Sequence, residues 1–574
     1  MGVASGLPVE MAILEWKNVS VKKTKTELTL SEVSGCLQRN RLTCLVGPSG
    51  AGKSVLLKAL SGRVETLKSS SVIFHDPVIN ISSSSAKRSH IGFVSSDDEL
   101  LPSVTPREAL EFSYSLTATR GSRELQARQV EYYLSLLDLD ECSEVPYGRL
   151  PSLNAKRFAS IAVEMISERK VLLLDAPLQG LSQLAGYQFI KNLKKLVAHE
   201  STVLQGILCT LLQPTSEVLS LFDDIILMAD HGVLIYQGPV AEMASFFAKL
   251  GHECPPHYNV SDFALFVLHS VSREERDSMA LGSVAITSPC QTDVAAEKIK
   301  LGKRRSFFTQ MNVLAVREMK DVMRNWRTML VARFVISVVI SLVIGAVYYQ
   351  IGAAVTAESS TSAIHAYRGC VLVMCCNAML ANAQATIVAL PQQKAVFRRE
   401  YALNMYSSMA YLLSKFPMEI ALSAVQVLVQ LTISYFLCGL RGNFAIYWIV
   451  LVAVETCAES IALSVSCLTP NALSAIQTLP IAILPQIIFS GLIVSIKAMP
   501  KWISWLQYIC FIPYAMKLLC INEFGCTSIA QFTSNDITCS FLAYNGVTLV
   551  AISVVFRIIA LIALGFEPKS RYRS

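Results

Sequence analysis

The sequence has little charge, and it lacks the segments typical of secreted or nucleic-acid-binding proteins. Only 16% of its 574 residues are charged, whereas 52% are hydrophobic, and this balance favours a membrane protein. The first ten residues contain neither a basic stretch nor an apolar run, so we predict no secretory signal peptide. No nucleic-acid-binding motif is present, and the net charge of +7 needs another explanation.

The hydrophobic residues are concentrated in the second part of the chain. Residues up to about 300 mix charge, glycine, proline and serine as a soluble domain does, and long apolar runs begin near residue 328. Basic residues such as Arg324, Arg327, Lys394 and Arg398 flank these runs. Because positive charge accumulates in cytosolic loops, we attribute the basic excess to membrane topology, with no nucleic-acid partner.

A glycine-rich loop follows a short apolar strand in the first part of the chain. After Arg41–Val46 comes the complete G-x-x-x-x-G-K-S pattern, formed by Gly47, Pro48, Ser49, Gly50, Ala51, Gly52, Lys53 and Ser54. Such loops direct backbone N–H groups at phosphate oxygens, and the following helix N-terminus favours negative charge. We expect Lys53 to reach the outer phosphates of ATP and Ser54 to bind Mg²⁺. A chance glycine-rich turn is disfavoured by the strand–loop–helix context.

A second apolar strand ends on a carboxylate. Residues 170–174 lead into Asp175, which is the Walker B arrangement, in which the aspartate holds the water shell of Mg²⁺. Taken alone, a strand ending in aspartate is common, but here it follows a phosphate loop. The two segments together predict an α/β P-loop NTPase domain.

These segments resemble the G subfamily of ATP-binding-cassette transporters, the White and sterol half-transporter group. The resemblance extends from about residue 12 to residue 566 and continues through segments such as 101–108, 221–223, 236–239 and 259–263. In the membrane half, Glu400, Tyr406 and Pro417 match the coupling-helix stretch of the family. The resemblance implies a dimer, because each ATP is bound between the phosphate loop of one half and the signature motif of the other.

Several positions depart from the pattern of that family. The signature Ser-Gly-Gly-Glu reads Ser152, Leu153, Asn154 and Ala155, and the two larger side chains should crowd the approach of backbone N–H groups to ATP. Ser96 replaces the Q-loop glutamine of the family, and Ala176 replaces its catalytic glutamate. Ser182 replaces the D-loop aspartate, and Leu212 replaces the switch histidine. Phosphoryl transfer depends on positioning and charge stabilisation. We therefore predict that the chain binds MgATP and hydrolyses it very slowly, with no intact catalytic residue.

The second part of the chain is predicted to be an all-α domain of six membrane spans. Apolar runs long enough to cross a hydrocarbon core of roughly 30 Å lie near residues 329–349, 369–390, 416–438, 445–467, 474–493 and 546–564. The charge asymmetry places the nucleotide-binding domain and both termini in the cytosol. We predict a nucleotide-binding domain over 1–270, a linker and connecting helix over 271–327, and a membrane domain over 328–574 with an external loop at about 494–545.

Two features of the membrane domain have open interpretations. Glu455 and Glu459 lie one helical turn apart in the fourth span, where carboxylates are usually functional. Their partner could be Arg333 or a polar substrate, and a wet interhelical crevice is the structural alternative. Cys526 and Cys539 lie in the predicted external loop, where an intrachain disulfide is expected and a bridge to a partner subunit is the alternative.

The resemblance implies ATP-dependent movement of a lipid, sterol or small hydrophobic molecule by a dimer, with a heterodimer favoured. A non-catalytic subunit that regulates or stabilises an active partner is the alternative, supported by the altered catalytic positions. A soluble-type ATPase merely anchored in the membrane is disfavoured by the six spans and the coupling stretch. The expected cofactors are ATP and Mg²⁺, and the transport role itself rests on the resemblance.

Overall fold

The computed structural model describes residues 12–22, 28–64, 66–67, 70–75, 78–80, 90–95, 100–118, 122–167, 169–198, 203–271, 279, 305–327, 331–352, 361–492, 500, 502–529 and 541–571. The chain divides into two compact units. The first comprises Met1–Ser306, Arg398–Tyr406 and Pro568–Ser574, and the second comprises Phe307–Phe397 and Ser407–Glu567.

The first unit contains two β-sheets. A four-stranded antiparallel sheet has the order β2-β1-β4-β5, and a six-stranded sheet has the order β10-β9-β3-β8-β7-β6. In the second sheet only β10 runs antiparallel to its neighbour. Strands β6, β7, β8 and β9 are buried along their whole length, as expected for parallel strands covered on both faces. The strands are β1 Ala12–Lys22, β2 Leu28–Gln38, β3 Arg41–Val46, β4 Ser71–His75, β5 Val78–Asn80, β6 Ile91–Val94, β7 Val171–Leu174, β8 Gly206–Thr210, β9 Asp224–Met228 and β10 Leu234–Pro239.

Helices surround these sheets, and several begin at side-chain caps that the sequence supplies. Thr105 and Glu108 form a capping box at α2, and Ser122 accepts a hydrogen bond from Leu125 N at the start of α3. Such caps pair backbone N–H groups that have no partner within the helix. The helices are α1 Lys53–Leu60, α2 Pro106–Thr117, α3 Arg123–Leu136, α4 Leu153–Met165, α5 Gln183–Ala198, α6 Ser216–Leu219, α7 Met243–Lys249 and α8 Val260–Ser270.

The described residues of the second unit form helices joined by turns and irregular segments, with no β-strand among them. The helices are α9 Phe307–Arg324, α10 Ala332–Val347, α11 Thr361–Ala402, α12 Ser408–Cys438, α13 Phe444–Leu468, α14 Ala472–Ile488, α15 Ile512–Ile529 and α16 Phe541–Arg571, and the last residues of α11 and α16 belong to the first unit. Among the described residues, four helices are long and apolar enough to cross a membrane: Ile364–Pro391, Ser408–Cys438, Phe444–Leu468 and Ala543–Gly565. The shorter apolar helices Phe334–Val347 and Ala472–Ile488 lie where the first and fifth spans are predicted. The structure therefore confirms a helical domain with several apolar helices, and the count of six spans stays a prediction.

The region predicted to be an external loop contains a helix that the sequence analysis missed. Helix α15 lies within residues 494–545, and its residues Ala515 and Leu519 are fully buried in the hydrophobic core of the second unit. The predicted disulfide lies outside the described residues, since neither the Cys526 side chain nor Cys539 is described. Part of the predicted loop is therefore core structure.

Candidate functional site

The phosphate loop connects β3 to α1 in a conformation that requires glycine. Gly50 and Gly52 have φ values of 91° and 93°, a left-handed conformation that favours glycine. A Cβ atom on Gly52 would also lie 2.5 Å from Leu30 Cδ2. Lys53, the first residue of α1, donates hydrogen bonds to the carbonyl oxygens of Gly47 at 2.6 Å and Pro48 at 2.8 Å.

Asp175 is held at the end of β7 by two hydroxyl groups. The Ser54 hydroxyl donates a hydrogen bond to Asp175 Oδ1 at 2.9 Å, so the structure brings the phosphate loop and the predicted Walker B aspartate into contact. The Thr210 hydroxyl donates to the same carboxylate oxygen at 2.8 Å. Thr210 also accepts a hydrogen bond from Ala176 N at 2.7 Å. No local sequence pattern marks Thr210, which reaches this position because β8 pairs with β7 in parallel, with Leu174 opposite Cys209.

The charges of this cluster are close together and largely shielded from water. The side chains of Lys53 and Asp175 are buried. Burial lowers the pKa of the Lys53 ammonium, and the negative charge of Asp175 acts in the opposite direction. An incoming phosphate would meet a partly desolvated ammonium, whose attraction to an anion is stronger than it would be in water.

The residues fit ATP and Mg²⁺. A hydroxyl and a carboxylate oxygen that already lie 2.9 Å apart, from Ser54 and Asp175, form the type of hard oxygen set that Mg²⁺ prefers. No atom would lie within 4 Å of a Cβ added to Gly50, so the loop has open space beside it. The ammonium of Lys53 and the N-terminus of α1 supply the positive field that phosphates need.

The signature segment forms the start of α4. The Ser152 hydroxyl accepts a hydrogen bond from Ala155 N at 3.1 Å and caps the helix. The Leu153 side chain is exposed, and its Cδ2 atom lies 2.8 Å from where a Cβ on Gly180 would be. Leu153 therefore covers Gly180, and Asn154 follows it on the same turn of α4. A glycine at position 153 would leave that space open.

The remaining altered positions carry side chains without the expected chemistry. Ala176 has a φ of 46° and presents only a methyl group where the family has a carboxylate. The Ser182 hydroxyl accepts a hydrogen bond from Ala185 N at 3.3 Å at the beginning of α5, so it acts as a helix cap. The Leu212 side chain is 50% exposed and apolar. Ser96 lies outside the described residues.

Part of the predicted coupling stretch packs within the first unit. Arg399 donates a hydrogen bond to the backbone carbonyl of Ser160, in α4, at 2.7 Å. Arg169 donates to the carbonyl of Leu403 at 3.0 Å. The segment Arg398–Tyr406 is therefore fastened to the helix that begins at the signature residues.

The predicted membrane carboxylates are buried on α13, and Glu459 has an arginine nearby that the sequence analysis did not identify. Glu455 is 0% and Glu459 5% exposed. Arg557 of α16 lies 3.8 Å from Glu459 and 3.1 Å from Glu419. The Thr386 hydroxyl donates a hydrogen bond to Glu459 at 3.4 Å. Arg333, the predicted partner, has a side chain outside the described part of the chain.

Family models match both parts of the chain. Residues 30–179 match a model described as ABC transporter. Residues 309–524 match one described as ABC-2 type transporter, and a second model with that description matches residues 212–286.

Curated relatives match nearly the whole chain. The pig protein named broad substrate specificity ATP-binding cassette transporter ABCG2 is 27% identical over 92% of this chain and 85% of its own length. Protein white of Drosophila melanogaster is 26% identical over 94% of this chain and 84% of its own length. ABC transporter G family member 7 of Arabidopsis thaliana is 27% identical over 91% of this chain and 75% of its own length.

Proposed function

We propose that the chain is a half-transporter of the G subfamily of ATP-binding-cassette transporters. In this proposal it binds MgATP and, as a dimer, moves a hydrophobic molecule across a membrane. The expected substrate class is a lipid, a sterol or a small hydrophobic compound. The observation that carries this proposal is the contact between Ser54 and Asp175, on the same chain as the ABC-2 type membrane domain. The cradle for phosphate and the membrane helices are thus parts of one polypeptide.

The proposed arrangement is an integral membrane protein with its nucleotide-binding domain and both termini in the cytosol. The nucleotide-binding domain covers residues 1–270 and the membrane domain residues 328–574 with six spans. The basic residues beside the apolar runs, such as Arg324 and Lys394, support this orientation.

Bound Mg²⁺ would supply positive charge to the phosphates, and residues of this chain would position the nucleotide. Lys53 would exchange its contacts with the carbonyls of Gly47 and Pro48 for phosphate oxygens. Ser54 and Asp175 would hold the Mg²⁺, and Thr210 keeps the Asp175 carboxylate in place. The side chains of Ala176, Ser182 and Leu212 have neither a carboxylate nor an imidazole that could orient the attacking water.

A second candidate function follows from those positions. In a catalytically inactive subunit, bound ATP would stabilise a dimer whose partner performs the hydrolysis. This function is favoured by three altered positions. They are Ala176, whose φ is positive, Ser182, which caps a helix, and Leu212, which is exposed. The second candidate requires a heterodimer with an intact second half-transporter, whereas the first candidate favours a heterodimer without requiring it.

Nucleotide binding by the full-length chain in lipid nanodiscs tests the proposal. We expect a fluorescent ATP analogue with Mg²⁺ to bind the wild type and to lose at least about tenfold in affinity with Lys53→Ala, because removing a charge-assisted contact costs about 1.5–3 kcal/mol. Lys58→Ala is the matched control, since Lys58 lies in the same helix outside the cradle. Equal binding by Lys53→Ala and wild type would contradict the proposed role of the loop.

The two candidates are separated by co-purification with differently tagged copies and with other half-transporters of the source cell. A homodimer with robust turnover would exclude the inactive-subunit function. A stable complex that turns over only with an intact partner would support it.

A further inference from the structure

Two cysteines of different membrane helices have their sulfur atoms in contact. Cys370 lies in α11, and Cys438 is the last residue of α12. Their Sγ atoms are 3.7 Å apart, and both side chains are fully buried. The two residues are 68 positions apart in sequence, so the contact is a consequence of tertiary packing.

The ends of the surrounding helices are fastened together independently of the thiols. Gln350, after α10, donates a backbone hydrogen bond to the carbonyl of Leu437 at 3.0 Å. A Cβ on Gly369 would lie 3.2 Å from the hydroxyl of Tyr348, so α11 and the end of α10 approach closely beside Cys370. Gly439, with a φ of 64°, ends α12 directly after Cys438. This packing fixes the backbone near both cysteines and so keeps the two sulfur atoms next to each other.

We propose that Cys370 and Cys438 form an intrachain disulfide that joins α11 to α12 near the external face of the membrane. This rests on the topology of the proposed function, in which residues 352–367, lacking lysine, lie outside. The sulfur atoms would have to approach by about 1.7 Å, from 3.7 Å to the length of a disulfide bond. Rotation of the two χ1 angles can supply such a movement.

The oxidant is a disulfide of the secretory pathway, carried by an oxidoreductase or by oxidised glutathione. One cysteine, as a thiolate, attacks that disulfide and releases one thiol while forming a mixed disulfide. The thiolate of the other cysteine then attacks the mixed disulfide and releases the second thiol. The two cysteines lose two electrons and two protons, and the incoming disulfide gains both as two thiols. The exchange takes place during folding, when the helices have brought the two cysteines together and the oxidant can still reach them.

The nucleotide-binding unit contains an internal comparison. Cys44 and Cys209 lie opposite each other on the parallel strands β3 and β8, and both are fully buried. This pair belongs to the domain proposed to be cytosolic, where glutathione and thioredoxin keep thiols reduced. We therefore expect Cys370 and Cys438 to be oxidised and Cys44 and Cys209 to stay reduced.

Differential alkylation of the full-length chain tests the assignment. The chain is denatured in N-ethylmaleimide, then reduced, and then treated with iodoacetamide, and each cysteine is assigned by mass spectrometry. We expect Cys370 and Cys438 to carry the second label, and a peptide joining them to appear before reduction. Cys375 of the same helix and the pair Cys44 and Cys209 should carry the first label. In Cys370→Ser, Cys438 should change to the first label.

The outcome does not depend on transport or on nucleotide binding. Quantitative labelling of Cys370 and Cys438 by N-ethylmaleimide would overturn the proposal. The topology is checked separately by a single cysteine placed at Ala354 and labelled in intact cells by an impermeant maleimide. If the cysteine at position 354 is labelled from outside while Cys370 and Cys438 are free thiols, the disulfide is refuted and the topology stands. If the cysteine at position 354 is protected from the impermeant maleimide, the external position of residues 352–367 is refuted as well.

Discussion

Replacing Thr210 by valine should loosen the centre of the nucleotide site. The threonine hydroxyl donates to Asp175 Oδ1 at 2.8 Å and accepts from Ala176 N at 2.7 Å, and valine has almost the same shape. Thr210→Val would therefore leave the buried carboxylate with one donor fewer and the Ala176 N–H without its acceptor.

The magnitude follows from these two losses. A hydrogen bond to a charged group is worth about 1.5–3 kcal/mol, and an unsatisfied buried polar group costs about 1–3 kcal/mol. Together the two losses lower the free energy of unfolding of this region by about 3–5 kcal/mol. The loss is not larger because Ser54 still donates a hydrogen bond to Asp175. Thr210→Ser keeps the hydroxyl and loses one methyl group, which is worth about 0.8 kcal/mol.

Hydrogen exchange of the full-length chain in nanodiscs, measured at peptides covering β7 and β8, is the assay. Since exchange of protected amides follows the free energy of opening, and about 1.4 kcal/mol is a factor of ten, Thr210→Val should exchange roughly 150- to 5,000-fold faster than wild type. Thr210→Ser should stay within about fivefold of wild type. If the two variants exchange at the same rate, the hydroxyl does not hold Asp175, and our description of the site is wrong.

Three further predictions concern local strain, pH and the membrane charges. Ala176→Gly should slightly slow hydrogen exchange of the amide at position 176. Ala176 has a left-handed φ of 46°, and glycine removes the resulting strain of about 1–2 kcal/mol but costs about 0.5–1 kcal/mol in chain entropy. Faster exchange in the variant would contradict this. Burial raises the pKa of Asp224 from 3.8 to about 6, and the ion pair with Arg41 opposes the rise. The stability from this group is complete below pH 3.8 and is lost as the pH rises to about 6, so wild type should lose up to about 3 kcal/mol relative to Asp224→Asn across that window, read by urea unfolding at several pH values. Arg557→Ala should destabilise the membrane unit by about 3–5 kcal/mol, because Glu419 and the buried Glu459 then lose the arginine beside them. A thermal-stability assay in detergent should place Arg557→Lys between wild type and Arg557→Ala.

The phosphate loop could be predicted from the sequence because its chemistry lies in consecutive residues. Lys53 and Ser54 are adjacent, and the strand ending at Asp175 is marked by its apolar run. The altered positions Ala176 and Leu212 could be found for the same reason, since each lies next to a recognisable segment. How these positions act in the chain stays a prediction.

Contacts made by distant segments could not be predicted in the same way. Thr210 lies beside Asp175 only because β8 is next to β7 in the sheet, and strand order is not written in any local pattern. Arg557 is 98 residues from Glu459, and the choice of neighbouring helix depends on packing of the whole unit. Helix α15 was missed because the sequence around it mixes aromatic and polar residues like a loop, although the core covers residues such as Leu519.

Vanadate-sensitive ATPase activity of the purified chain in lipid, measured beside Lys53→Ala, tests the central claim most directly. The claim is that this chain keeps the cradle for MgATP and lacks the groups that activate water. We predict that the wild type binds nucleotide but turns it over at the rate of Lys53→Ala. Turnover clearly above that of the variant would contradict the account, because other residues would then have to replace Ala176 and Leu212.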